Sequence, residues 1–343
     1  MTKRLPPKGD TQPDLFVAAF ADIPIRDQKD TMERPFFSLA KKPRITPIEY
    51  QVGDVWVEVT ANPKFGMATI WDADILIWAS TQVTEAIDRG KKPDRTIKFH
   101  PHNFLKAVCR GSSGKDYARL RAALDRLTHT AVRTNIRAGN KKKFSSFHWL
   151  ESWSEVTDEK TGEPLGMTMT LPDWLYQGVI GKGGVLTIHE DYFLLTGGIE
   201  HWLYRVARKH AGRQEHGWAF TMRQLHEKSG SLARLSDFAL DVRKAVEHDS
   251  FPEYAASIRR NGEGEEIGIS SSGRPWRPMT RAGIGQDSRT GDSVQASAIK
   301  RSRPTRLRNR KSKFSSMMAG FCSPILAGRN RHAKSFGLIS VSG

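Results

Sequence analysis

FLKAVCRGSSGKDYARLRAALDRLTHTAVRTN, residues 104–135, and QLHEKSGSLARLSDFALDVRKAVEHDSFPEYAASIR, residues 224–259, follow one order of elements. Each predicts a short helix, a Gly/Ser turn, a longer amphipathic helix and a β-like stretch. That order is a helix-turn-helix followed by a wing, a scaffold that can seat a helix in a DNA major groove. Leu105 aligns with Leu225, Gly111 with Gly230, and Asp116-Tyr117-Ala118 with Asp237-Phe238-Ala239, at offsets of 120, 119 and 121. The phase holds while the residues drift. Chance similarity between two amphipathic helices is the competing explanation, and a repeat has to be tested early because it sets the fold.

Working outward, residues 45–60 alternate apolar and polar around Gly53-Asp54 and predict a hairpin. Ile75, Trp78, Val83 and Ala86 fall at helical spacing within Asp72–Arg89, with an acidic start and Gly90 just beyond. Residues 131–136 and 144–157 predict strands joined by a basic loop, and 165–171 a further strand. Ile199–Ala211 predicts a helix with Trp202, Leu203 and Val206 on its apolar side. Phe220–Ser229 and Leu235–Asp249 complete the second helix-turn-helix, with Tyr254–Arg259 as its wing strand. The expected fold is α+β, with two tandem winged-helix domains, 34–177 and 178–267, meeting at a linker around 178–184. A disordered arm, 1–33, precedes them and a basic low-complexity tail, 268–343, follows.

The net charge of +17 points to nucleic acid only after it is located. Residues 268–343 hold 15 Lys/Arg and 2 Asp/Glu, whereas residues 1–267 hold 39 and 35. The folded part is nearly balanced, so DNA binding has to be argued from local clusters. The tail, rich in Ser, Gly, Arg and Pro and without Glu, reads either as a DNA-contacting segment or as an extension foreign to the fold. Its composition buries too little apolar surface to offset chain entropy. Cys109 and Cys322 show no metal-like spacing, which suits a reducing compartment. No apolar run of membrane-spanning length and no signal-peptide pattern is present. The expectation is a cytoplasmic, nucleoid- or plasmid-associated protein of a bacterium.

The candidate DNA contacts follow from helical wheels and loop charges. Tyr117, Leu120, Leu124 and Leu127 share one face of the Lys115–Thr130 helix. Lys115, Ala118, Arg119, Ala122, Arg126 and His129 share the other, where two alanines among cations permit close approach to a duplex. Arg137, Lys141, Lys142 and Lys143 occupy the basic loop, expected to be a wing tip that grips phosphates and so contributes affinity rather than sequence choice. In the second repeat Leu235, Phe238, Ala239, Val242 and Val246 face the core. Arg234 precedes that helix, and Arg243 and Lys244 share its outer face with Asp237, Asp241 and Glu247. Those carboxylates either accept from cytosine N4 or hold the helix off DNA. Arg205, Arg208 and Lys209 cluster on the Ile199–Ala211 helix, as a further phosphate contact or a solvated helix end.

Catalytic patterns are weak. Gly111-Ser112-Ser113-Gly114-Lys115-Asp116 lacks the spacing and hydroxyl of a phosphate loop, and no nucleophile elbow, zinc-protease or paired Cys-x-x-Cys motif occurs. His100-Pro101-His102, with Tyr117 as a conceivable nucleophile, has the residue types of a metal-dependent nicking site. Pro101, however, removes a backbone donor that a metal-binding strand would use. The expectation is a non-enzyme without metal or cofactor.

The chain also resembles the plasmid replication initiator protein A family. Arg34–Lys41 (RPFFSLAK), Gly66–Ser80 (GMATIWDADILIWAS), the Tyr117–Leu127 helix, His201–Gly212 (HWLYRVARKHAG) and Gln224–Arg259 carry the resemblance, across roughly residues 14–267. It implies a winged-helix initiator that binds its double-stranded plasmid origin, promotes local opening and works with the host initiator and replicative helicase rather than nicking DNA itself. It leaves homodimer formation open. A winged-helix transcriptional repressor and an origin-nicking endonuclease are the alternatives. Residues 268–343 fall outside the resemblance.

Overall fold

The computed structural model describes residues 23–271, except 138–143, 163, 213, 215–216, 250 and 262–263. The first strand, β1 (Ile25–Gln28), is followed by the hairpin β2 (Ile48–Val52) and β3 (Val55–Thr60), which turns at Gly53 with Val52 opposite Val55. Helix α1 (Ala73–Asp88) comes next, then β4 (Thr96–Phe99), α2 (Pro101–Ala107) and α3 (Gly114–His129). Strands β5 (Ala131–Thr134), β6 (Ser145–His148), β7 (Ser152–Thr157) and β8 (Pro164–Thr170) lead to α4 (Asp173–Ile180) and β9 (Val185–Ile188). The remainder is α5 (Gly198–His210), β10 (Trp218–Thr221), α6 (Met222–Ser229), α7 (Leu235–His248), β11 (Tyr254–Asn261) and β12 (Gly264–Ser271).

Two stretches of this order repeat. Helix α1, β4, α2, α3, β7 and β8 correspond to α5, β10, α6, α7, β11 and β12. The three strands of each repeat form an antiparallel sheet in matching order, β4-β8-β7 and β10-β12-β11. Helix starts obey local chemistry. Asp116 accepts from the Ser113 N–H at 3.0 Å at the start of α3. Thr221 and Gln224 bond each other's backbone N–H groups at 3.2 and 2.9 Å at the start of α6. Such reciprocal bonds satisfy donors that the first turn leaves open.

The first repeat departs from the sequence expectation in its wing. Residues 144–157 are not one strand. The chain breaks at Trp149 and Leu150, both fully buried. Strand β6 pairs with β5 in a separate sheet of order β2-β3-β5-β6, while β7 pairs with β8. The hairpin matching β11-β12 is therefore β7-β8. The basic loop expected to be the wing tip belongs to the hairpin β5-β6, which interrupts the repeat. The residues expected as a linker, 178–184, close α4 and turn into β9.

The amino-terminal residues are also placed differently. Residues 1–22 of the expected arm lie outside the described residues, but Ile25–Gln28 pairs antiparallel with β9, Ile25 opposite Ile188. Ile25, Met32, Phe36 and Phe37 join the core. Phe36 and Phe37 pack on Trp149, their ring centroids 5.5 and 4.7 Å away. The segment from residue 23 to residue 48 lies between the repeats like a strap. Two glycines admit it. A Cβ on Gly198, at the start of α5, would lie 2.1 Å from the Leu39 carbonyl oxygen. Gly230 ends α6 with φ 61°, and a Cβ there would lie 2.7 Å from Pro35 Cβ and 3.2 Å from Ile48 Cγ2. Arg44 donates to the Gly230 carbonyl at 2.6 Å and holds the same turn. Gly230→Ala is expected to cost about 1–3 kcal/mol, from left-handed strain plus overpacking, read as a lower urea midpoint at constant slope. An unchanged midpoint would mean that the turn moves off the strap at no cost.

Among the described residues, all of which fall within one compact unit, no helix is long and apolar enough to cross a membrane.

Candidate nucleic-acid interface

Helix α3 has the spacing that a groove-reading helix needs. Leu120, Ala123, Leu124 and Leu127 are buried at positions i, i+3, i+4 and i+7, with Tyr117 packed half-buried beside them. The face across from this stripe is open. Lys115, Ala118, Arg119, Ala122 and His129 are exposed, Arg119 with 77% of its side chain accessible. Among the described residues Arg119 is tethered only to the neighbouring Asp116 at 3.0 Å, a surface pair worth little in water and readily exchanged for a phosphate. The His129 ring lies against Phe65, centroids 4.3 Å apart, and Lys64 sits over the same Phe65 ring, 5.1 Å from its centroid. Arg126, expected on the open face, instead turns to Asp72, with both nitrogens 2.7 Å from the carboxylate.

A cleft of about 530 Å³ runs along the flank of α3 and is lined by Lys41, Trp71, Asp72, Asp74, Arg110 and Arg119 among others. Burial pushes the Asp74 carboxyl up to about 7, with Arg110, 2.8 Å away, pulling the other way. On this wall the Arg126–Asp72 pair ties α3 to the start of α1, and Arg110–Asp74 ties the segment before α3 to the same helix.

In the second repeat α7 buries Phe238, Ala239, Val242 and Ala245. Arg234, its N-cap, is exposed, as are Leu240 and Lys244, the latter 3.4 Å from Asp241. Arg243 reaches Glu265 on β12 through two nitrogens at 3.0 and 2.7 Å. Arg260 on β11 meets the same carboxylate at 3.3 Å. Glu265 thus ties α7 to the β11-β12 hairpin, and the Arg243 bonds, with Arg260, hold its carboxyl below the usual range. Arg260 was missed in the sequence reading. Its signal was the Arg259-Arg260 pair directly before the turn. The matching hairpin β7-β8 has a different character: its tip begins Asp158-Glu159-Lys160, and Asp158 is occupied by the backbone N–H groups of Lys160 and Thr161 at 2.9 and 2.8 Å.

Several expected contacts are turned inward. Arg205 is 1% exposed. It donates to both oxygens of Asp27, at 2.7 and 3.1 Å, and to Thr31 at 2.8 Å. It is a structural cation within α5 and cannot reach a duplex while the fold stands. Arg208 donates to the Thr187 carbonyl. Lys209 lies 2.9 Å from Glu33. Burial pushes the nearby His201 imidazole down to about 4, so it is neutral there. Arg137 folds back as well: its guanidinium lies 4.0 Å from the Trp174 ring centroid and bonds Asp30 at 2.6 Å. The acceptors Asp27, Asp30 and Glu33 all sit in the segment read as an arm, which is why the cations looked free. Lys141, Lys142 and Lys143 lie outside the described residues.

His100 caps α2, its Nδ1 accepting from the His102 N–H at 3.2 Å. Among the described residues no cluster of three or more His, Cys, Asp or Glu has the arrangement of a metal site.

A family model described as replication initiator protein A matches residues 26–256. A protein of Wigglesworthia glossinidia brevipalpis, provisionally named a replication protein, is 35% identical over 253 residues, covering 72% of this chain and 90% of its own. Among solved structures, domains 2 and 3 of RctB superpose with a TM-score of 0.51 at 12% identity, covering 68% of this chain and 94% of that one. At that identity the likeness speaks for the fold alone.

Proposed function

This chain belongs to the replication initiator protein A family, and from that premise we propose that it binds double-stranded plasmid origin DNA through two winged-helix modules. The observation that carries the reading is the repeated α-β-α-α-β-β order with its matched sheets, joined to the open face of α3. Helices α3 and α7 are the reading helices. Lys115, Arg119 and His129 contact one groove, and Arg234 and Lys244 an adjacent one, while Arg243 stays on Glu265. Arg260 on the second wing takes the phosphate role that the sequence had given to Arg137. The protein performs no covalent step. Contacts at several sites offset the cost of bending and locally opening an A·T-rich segment, on the order of 1–10 kcal/mol. Recruitment of the host initiator and helicase rests on family membership.

Footprinting on the cognate origin at two salt concentrations tests this. Protection of repeated sites one or two helical turns apart is expected, with A·T-rich DNA beside them reactive to a single-strand-specific reagent. Lys115→Ala with Arg119→Ala should weaken specific binding about 10–100-fold and flatten the salt dependence. Full protection by that double variant would remove α3 from the interface. Protection without strand reactivity would leave a repressor-like binder.

A further inference from the structure

Among the described residues the sheet β2-β3-β5-β6 has no counterpart in the second repeat. Its inner face (Ile48, Tyr50, Val57, Val59 and Val132) is core. Its outer face carries an aromatic and cationic cluster that no core requires. The Trp56 and Phe144 rings lie 6.3 Å apart, tilted by 43°. The Arg133 guanidinium sits 5.3 Å from the Phe144 ring centroid and 6.0 Å from that of Trp56. Glu58 holds it there at 2.8 Å. Trp56 is half-exposed and Phe144 is 55% exposed. Across the strands the face grades in charge. Glu49 stands opposite Glu58 on the β2 side, while Ser146 and His148 lie exposed beyond Arg133 on the β6 side.

We infer that this face binds single-stranded DNA, with successive bases stacked on Trp56 and Phe144 and the backbone running over β6. Every base offers a π-face, so two accessible rings with a stacked guanidinium hold a strand without reading its sequence. A duplex keeps its base faces stacked inside, so the platform selects the open strand. The carboxylates of Glu49 and Glu58 repel phosphates from the β2 side. Ser146 and His148 offer hydrogen-bond partners on the other. The inference rests on the origin-opening reading for its purpose, since opening is what releases a single strand, but not for its chemistry.

The test compares full-length wild type, Phe144→Ala, Trp56→Phe and Trp56→Ala. The probes are a labelled oligothymidylate and, separately, a duplex origin fragment, at a salt concentration that suppresses nonspecific contacts by the basic tail. Phe144 is exposed, so its removal leaves the fold intact, and Trp56→Phe keeps a ring. The expected result is about tenfold weaker oligothymidylate binding for Phe144→Ala and Trp56→Ala. Near-wild-type binding is expected for Trp56→Phe, and unchanged duplex binding for all three. Photocrosslinks from a halogenated oligonucleotide should map to peptides containing Trp56 or Phe144. Oligothymidylate binding that is absent, or that ignores these substitutions while duplex binding persists, would overturn the inference and leave the origin-binding reading standing. So would crosslinks confined to residues beyond 271. Loss of duplex binding in wild type would count against the origin reading instead.

Discussion

Asp27→Ala should destabilise the fold by about 3–5 kcal/mol. The argument starts from solvation. Arg205 is enclosed at 1% exposure, so its charge has exchanged water for two bonds to Asp27 and one to Thr31. Burial opposes the charged guanidinium, yet the attraction of Asp27 leads the forces that hold it protonated, so truncating the carboxylate leaves a cation that cannot discharge. Arg205→Met in the Asp27→Ala background should recover much of the loss, because an apolar side chain has no charge to strand. Urea unfolding of the two single variants and the double variant measures the coupling. Strict additivity would show that the pair does not act as a unit.

Glu33→Gln should remove about 3 kcal/mol at neutral pH and flatten the acid limb of the stability curve. Burial alone would raise the Glu33 carboxyl, but His210, Lys209 and Lys228 outweigh it and hold the carboxyl far below the ordinary range. Lys209 and Lys228 stand 2.9 and 3.1 Å away and His210 2.6 Å. A folded-state value below the unfolded one means that protons bind the unfolded chain more readily. The stabilisation is therefore fully present above about pH 4.5, the unfolded range, and is lost progressively as pH falls below it toward the depressed value. Unfolding free energies at neutral pH and at steps down to about pH 3 should fall more steeply for wild type than for Glu33→Gln. Parallel curves would show that the carboxylate does not titrate with folding.

What the sequence disclosed and what it hid divides along the range of the interactions. Helices α3 and α7 were legible because their buried positions recur every three or four residues, and α3 adds a cap within one turn. The hairpin β2-β3 was legible for the same reason, with Gly53 between alternating runs. The division of 144–157 was not. Phe147 and Trp153 alternate as though on one strand, yet one side of Trp149 pairs with β5 and the other with β8, a choice set by non-local partners. At the candidate site the open face of α3 was read from local phase, apart from Arg126, which Asp72 takes up from 54 residues away. Arg205 was misread because its partner, Asp27, lies 178 residues back. Charge on a helix is ambiguous until the opposing charge is placed, and here it came from a segment whose polarity resembled that of a loose terminus.

The strap also bears on how such chains can be recombined. A crossover in the glycine-rich stretch around residues 178–184 looks harmless, since it falls between the repeats. It would nevertheless hand β9 a foreign β1, and Arg205, Lys209 and His210 a foreign set of carboxylates. The second repeat is inherited in function with residues 25–48, from the far side of the first. If α3 and α7 read the origin as proposed, exchange of specificity between relatives is easier by substitution on their outer faces than by trading whole halves.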